Sequence, residues 1–261
     1  MTTESYEFIT TERRGRVLIV TIERPEVMNA LHPPANEELS RVWDEFAADD
    51  ELWVGILTGS GQRAFSAGND LKYTAEHGSA GMLSQNGFGG LSHRFDLNKP
   101  LIAAVGGVAL GGGFEMALAC DIIIASGQAI FGLPEPRVGL AALAGGIHRL
   151  PRQIGLKNAM GLMLTGRHLG AEEAERLGLV QEITKADELM ERALSWADDI
   201  IACAPLSVRA TKEAALGGLD QPLEEAMAKH FDAFKTLFGS DDFVEGPRAF
   251  AEKRKPEWKG H

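Results

Sequence analysis

The sequence predicts an α/β fold with mainly parallel strand pairing, followed by a helical C-terminal region. Three observations lead there. Short β-branched apolar runs alternate with segments of helical spacing up to about residue 185. Beyond that point the chain carries amphipathic helices and little strand. Its 261 residues, 44% of them hydrophobic, suffice to bury a sizeable core.

Taken in order, "RVLIVTIER" (16–24) is β-branched and apolar and predicts the first strand. "PANEELSRVWDEFAADD" (34–50) places Leu39, Val42, Trp43 and Phe46 at helical spacing, so a helix with one buried face follows. "LWVGILTGS" (52–60) predicts a second strand ending in a Gly/Ser turn, "PLIAAVGGVAL" (100–110) a third and "DIIIAS" (121–126) a fourth. Residues 78–90, "GSAGMLSQNGFGG", hold five glycines and read either as a mobile lid over a ligand or as a plain connector. Four amphipathic helices are expected in "ADELMERALSWADDIIACA", "LSVRATKEAALG", "PLEEAMAKHFDAFKTLFG" and "DDFVEGPRAFAEKR", as a cap or an oligomerisation arm. There is no internal sequence repeat and no low-complexity tract.

Composition narrows the function. A net charge of −11 argues against nucleic-acid binding, which needs a basic footprint, but leaves room for a small anionic ligand held by local cations and amides. No apolar run is long enough to predict a membrane span. The N-terminus shows no signal-peptide core, so a cytoplasmic setting is expected. Cys120 and Cys203 make neither a disulfide framework nor a C-x-x-C motif, and the seven histidines are scattered, so no metal site is expected.

The stretch "ALGGGFEMALAC" (109–120) concentrates the chemistry. Three consecutive glycines, Gly111, Gly112 and Gly113, open an otherwise good buried helix, where glycine costs backbone entropy and fills no volume. Bare amides at a helix start can hold an anion or a developing oxyanion, with the helix dipole behind them. Close helix–strand packing accounts for the glycines equally well. Glu115 lies in the apolar run that follows, where a carboxylate is expensive without a partner or a task. Glu135, in "IFGLPEP", follows a strand, a turn and a returning strand, a path that can bring it back beside Glu115. Two carboxylates on one cavity suit general acid–base work, with two unrelated glutamates, one of them solvated, as the lesser alternative.

A second bare loop, "GSGQRAFSAGNDLK" (59–72), has three readings. Gly59, Gly61 and Ala64 match a weak dinucleotide fingerprint, but no helix opening or acidic partner supports it. "AFSAG" resembles a degenerate nucleophile elbow around Ser66, lacking its first glycine. The third reading is a second amide donor that completes a two-pronged oxyanion hole with Gly112.

At this point "RPEVMNAL", "AFSAGNDLK", "PLIAAVGGVALGGGFEMALACDIIIAS", "FGLPEPRVGL", "GGIHRLPRQIG", "LTGRHLGAEEAERLGLV" and "EGPRAFAEKR" together resemble the enoyl-CoA hydratase/isomerase (crotonase) family, from about residue 15 to the C-terminus in the family's order and spacing. "GGFGGLSHRFDLNKP", "GGGFEMALA" and "EGPRAFAEKRKPEWKG" point further, to one branch of it. The resemblance implies a crotonase-like spiral of ββα repeats over residues 1–195 and a helical C-terminal trimerisation region over 196–261, in a homotrimer or a hexamer made as a dimer of trimers. It implies reversible hydration of a 2,3-unsaturated acyl-CoA thioester through an enolate, in fatty acid or related metabolism, with coenzyme A as part of the substrate and no other cofactor. Asn69 and Gly112 would supply the oxyanion-hole amides. Glu115 would orient and deprotonate water, and Glu135 would protonate C2. Val27, Met28, Ala30, Ala67, Asp70, Leu71 and Lys72 would hold CoA, with Phe250 and Lys253 of a neighbouring subunit, and Leu143 would lie beside the water site.

Three departures from the family's pattern stand out: Glu26 where many members have a basic residue that meets CoA phosphate, Asn69 in the oxyanion loop, and Ala142–Leu143 in place of Pro-Gly. They bear on the acyl group more than on the reaction class. Two rivals stay open. One is a double-bond isomerase of the same fold, which needs the oxyanion hole and a single carboxylate. The other, from a different class, is a non-catalytic acyl-CoA binder.

Overall fold

The computed structural model describes residues 6–78 and 83–261. β1 (Ile9–Arg14) and β2 (Val17–Ile22) form an antiparallel hairpin turned at Gly15, whose φ of +58° lies in the left-handed region. After β2 the chain enters α1 (Pro33–Ala48), which starts on a proline whose missing N–H has no helical partner to lose. It buries Leu39, Val42, Trp43 and Phe46, the face expected from their spacing. β3 (Val54–Gly59) then pairs in parallel with β2.

From here the chain advances in strand–strand–helix steps between two sheets. β3 is followed by the short β4 (Ala64–Ser66) and α2 (Leu71–His77), and then comes β5 (Leu101–Val105), β6 (Val108–Leu110) and α3 (Gly112–Ala119). β7 (Ile122–Ser126) and β8 (Ile130–Gly132) repeat the strand pair. In each pair the first strand joins one sheet in parallel and the second joins the other. The single strand expected over 100–110 is therefore two strands in different sheets. It breaks at Gly106–Gly107, where Gly107 runs so close to Arg63 that a Cβ would collide with the Arg63 carbonyl.

α4 (Gly146–Ile154), α5 (Leu156–Thr165), β9 (Leu169–Gly170), α6 (Ala171–Arg176) and β10 (Glu182–Thr184) complete the spiral. The six-stranded sheet runs β1-β2-β3-β5-β7-β10 and the four-stranded sheet β4-β6-β8-β9. The principal core, with Trp43, Phe46, Phe65, Phe114 and Phe131, is assembled from both sheets and the helices packed on them. Along β2, Leu18, Val20 and Ile22 face that core, while Val17 and Ile19 face a second one on the opposite side of the sheet.

That second core is covered by α7 (Leu189–Ile201), where Ala193 and Ala197 let the helix lie close against β3, β5 and β7. The boundary expected between residues 195 and 196 falls inside this helix. α8 (Pro205–Gly218), α9 (Leu223–Ala228), α10 (Asp232–Phe238) and α11 (Asp241–Glu252) follow. The helix expected over 222–239 is thus two, separated at 229–231. Phe231 turns inward there and packs its ring on Gly217, which a continuous helix would not allow. Leu216, Leu219, Leu223, Met227, Phe238 and Phe250 stand exposed on this region.

Within the glycine-rich stretch 78–90, residues 79–82 lie outside the described residues. Gly87–Gly90 is not a loose connector. Gly89 N donates to Asn36 Oδ1 at 2.7 Å, Trp43 Nε1 donates to Gly89 O at 3.1 Å, and Phe88 is buried. Among the described residues no helix is long and apolar enough to cross a membrane.

Candidate active site

The three glycines that open α3 answer to three different neighbours. Gly111 has a φ of +53°, and a Cβ on it would lie 3.2 Å from Glu135 Oε1. On Gly112 a Cβ would sit 2.5 Å from the Phe88 ring. On Gly113 it would collide with the carbonyl oxygen of Ser66 at the end of β4. Close packing is therefore true of all three positions at this helix start. Gly68, at φ +87°, approaches from the other side, where a Cβ would lie 2.9 Å from Gly112 N.

The backbone N–H groups of Gly112 and Asn69 donate to no acceptor among the described residues. Both belong to segments that meet because β4 and β6 pair in parallel, Ser66 opposite Ala109. Two free amides thus lie on loops whose backbones are in contact, at the positive end of a helix dipole.

Glu115 is 3% exposed in the first turn of α3. Its Oε1 accepts from Gly146 N at 2.8 Å, the first amide of α4, entered through Gly145 at φ +106°. Burial pushes its carboxyl up to about 7, with the Glu135 carboxylate adding to the rise; the Gly146 and Ala144 amides and Arg149 pull the other way. Glu135 opens the turn Glu135–Val138, and its Oε2 is buried without a hydrogen-bond partner. Burial raises its carboxyl as well, against a hydrogen bond from its own backbone. β8 places it there: parallel pairing sets Gly132 beside Leu110, and Gly111 N donates to Gly132 O at 2.9 Å. The path out and back from α3 does return Glu135 to the glycines beside Glu115.

The expected CoA residues fall into two groups. Val27, Met28 and Ala30 meet the loop of Ala67, Asp70, Leu71 and Lys72, with Ala67 N donating to Met28 O at 2.9 Å and Leu31 bridging Asn69. Leu71 and Lys72 are exposed at the start of α2, whereas the Asp70 side chain is committed, capping α2 through Tyr73 N and pairing with Arg24 at 3.1 Å. Glu26 is exposed. Leu143 is 68% exposed and stands with exposed Val138 and Leu140 on the loop between Glu135 and α4. Phe250, 88% exposed, and Lys253 project from α11 into solvent rather than into this group.

Two weaker readings end here. Ser66 is fully buried, donates to Asn29 O at 2.8 Å and accepts from Gly68 N, so it is no exposed nucleophile. No helix opens after Gly59-x-Gly61, where β4 begins instead. The residues not foreseen are Gly146, whose amide binds Glu115; Ala144 and Arg149, whose amide and charge lower its carboxyl; and Phe88 over Gly112. The pair Gly145–Gly146 ahead of "IHRLPRQI" was the one available signal for a second helix start at the site.

Comparison with known proteins agrees with the fold. The family model "Enoyl-CoA hydratase/isomerase" matches residues 12–261. The chain is 41% identical over 256 residues to carnitinyl-CoA dehydratase of Escherichia coli strain K12, covering 95% of this chain and 97% of that one. It is 42% identical over 252 residues to carnitinyl-CoA dehydratase of Proteus mirabilis, covering 95% and 96%. That is the branch the glycine-rich, α3 and C-terminal segments resemble. Among solved structures, an enoyl-CoA hydratase from Mycobacterium tuberculosis superposes with a TM-score of 0.92 at 39% identity, over 97% of this chain and 99% of that one. One from Bacillus anthracis does so with 0.90 at 34%, over 98% and 100%. With family, relatives and fold agreeing along its length, the chain belongs to the enoyl-CoA hydratase/isomerase family.

Proposed function

We propose that this protein is an enoyl-CoA hydratase, a lyase that reversibly adds water across the 2,3 double bond of an acyl-CoA thioester. The observation that carries the mechanism is the convergence of the buried Glu115 and the half-buried Glu135, both of raised affinity for protons, on a helix start whose first amide meets no acceptor among the described residues. In this reading the thioester oxygen sits between Asn69 N–H and Gly112 N–H. Glu115 takes a proton from water as the oxygen adds to C3, and the negative charge that develops on the thioester oxygen is held by the two amides. Glu135 gives its proton to C2 as the enolate collapses. Dehydration runs the same steps backwards.

Coenzyme A arrives with the substrate, along Val27–Ala30 and Ala67–Lys72, and no further cofactor is called on. Phe250 and Lys253, both exposed at the end of α11, reach the CoA of a neighbouring subunit in a trimer or hexamer. The relatives' name makes carnitinyl-CoA the first acyl group to offer.

A panel of enoyl-CoA and 3-hydroxyacyl-CoA thioesters, with carnitinyl-CoA and crotonobetainyl-CoA among them, tests the reading through the absorbance of the conjugated thioester. Gain and loss of that band in both directions is expected. Migration of the double bond without water addition would make the protein an isomerase, and binding without turnover an acyl-CoA carrier.

A further inference from the structure

Behind the oxyanion recess lies a polar network that the steps above do not use. Asn29 is fully buried at φ +54°, a backbone region that asparagine tolerates better than most residues. Its Oδ1 accepts from Arg24 N at 3.0 Å and Ser60 Oγ at 3.4 Å, and its Nδ2 donates to Ser60 O at 3.0 Å and Ala64 O at 2.8 Å. With its side chain spent on both flanking segments, its own carbonyl is fixed and accepts from Ser66 Oγ at 2.8 Å. Ser66 Oγ in turn accepts from Gly68 N at 3.1 Å.

The consequence falls on the next peptide. Gly68 O accepts from Leu31 N at 2.7 Å, and among the described residues no peptide bond is cis. In a planar trans peptide the N–H points opposite to the C=O. A Gly68 carbonyl held on Leu31 therefore turns Asn69 N–H away from Leu31, and it is this N–H that has no acceptor among the described residues. Gly68 is thus held at both ends, its N–H on Ser66 and its carbonyl on Leu31.

We infer that Asn29 and Ser66 are positioning residues for the hydration reaction: through Ser66 Oγ on Gly68 N they hold the Gly68–Asn69 peptide so that Asn69 N–H meets the thioester oxygen. The inference rests on the reading of Asn69 N as an oxyanion donor. Neither residue touches substrate. Their effect is on direction, and hydrogen bonds weaken steeply once the donor angle falls towards ~120°.

The test is Ser66→Ala, with Asn29→Gly as a second variant that keeps the positive φ and removes the amide. Loss of a whole oxyanion donor lowers turnover on the order of 10²–10³-fold, so a misdirected one should lower kcat about tenfold to a hundredfold, with KM within about twofold. The discriminating readout is the absorbance of bound 2,4-hexadienoyl-CoA, which two aligned donors shift to the red by polarising its carbonyl. Both variants should show a smaller red shift, and the pH profile, set by the two carboxylates, should keep its shape. A lowered Tm with wild-type kcat and a wild-type red shift would make the network structural only and overturn the inference. If one variant does not fold, the other decides by the same two measurements. Should the wild-type enzyme itself leave the probe unshifted, the oxyanion reading fails, and the inference with it.

Discussion

Replacing Glu115 with glutamine should disable the protein while making it more stable, by an amount that grows from nothing near pH 4.5 to its full value above about pH 7. The carboxyl is 3% exposed, and burial lifts it from an ordinary 4.5 to about 7. The folded state therefore binds this proton more tightly than the unfolded chain does. Between pH 4.5 and 7 the folded form holds more protons, so stability falls with rising pH by about 1.4 kcal/mol per unit across that window. Above about pH 7 the full penalty of an ionised, buried carboxylate is present, about 3 kcal/mol. Glutamine carries no charge, and its Oε1 can keep the bond from Gly146 N. Its amide nitrogen must find an acceptor, so about 3 kcal/mol is a ceiling. For a domain of this size that corresponds to a Tm gain of up to roughly 6–12 °C at pH 8 and none near pH 4.5. Thermal denaturation of wild type and Glu115→Gln at both pH values, at equal protein concentration, measures the difference, and hydration should fall about 10²–10⁴-fold. A Tm difference that does not depend on pH, or a variant less stable than wild type at pH 8, would refute the assignment of a raised proton affinity to burial.

The remaining expectations concern the other parts of the site. Glu135→Gln should also lower kcat about 10²–10⁴-fold, and the Glu115→Gln/Glu135→Gln double variant should fall only a little below either single one, because groups acting as a unit lose less than additively; a fully additive loss in hydration kinetics would mean separate roles. Gly112→Val should drive a side chain into the Phe88 ring, 2.5 Å from its first atom, and cut turnover on the order of 10²–10³-fold; a folded variant with normal activity would remove Gly112 from the oxyanion hole. Light scattering at micromolar concentration should find a trimer or hexamer, and Lys253→Ala should weaken CoA binding in a calorimetric titration while leaving the assembly intact. A monomer, or unchanged CoA affinity, would count against a shared site.

The parts of the fold that could be read from the sequence are those buried on both faces. β2, β3, β5 and β7 are continuous apolar runs because cores lie on each side of their sheet. β1 carries the polar sequence ITTERR and is exposed over five of its six residues, so it left no hydrophobic signal. β4, β6 and β8 have three residues each, too few for a period to show, and their sheet exists only through pairings distant in sequence. The split between α9 and α10 was hidden for a related reason: Phe231 continues the helical pattern but is taken by Gly217 on α8. Local pattern named the element, and a tertiary contact moved its boundary.

The site was legible to the extent that its chemistry breaks a local rule. Glu115 stood out because a carboxylate in "FEMALAC" contradicts the run around it. Glu135 did not stand out by itself. Its nearness to Glu115 follows from β6 and β8 pairing in parallel, which sets Gly132 beside Leu110 and brings the residue three positions on to the glycines one position on. The proposed oxyanion donors present the opposite case. They are main-chain N–H groups, so no side chain could announce them, and their trace in the sequence is a set of missing side chains: Gly68, Gly111, Gly112 and Gly113, each of which would meet a neighbour within 3.2 Å if it carried a Cβ. The same holds for Gly145–Gly146, where a Cβ on Gly146 would lie 3.0 Å from Glu115 Oε1. A glycine in such a place states that something approaches the backbone but not what approaches, and the Phe88 ring, the Glu135 carboxylate and the Ser66 carbonyl are as different as neighbours can be. Distinguishing the glycine that admits a thioester from those that admit protein requires knowing which amides are left without an acceptor, and Asn69 and Gly112 are proposed as donors because they are among the amides that meet none among the described residues.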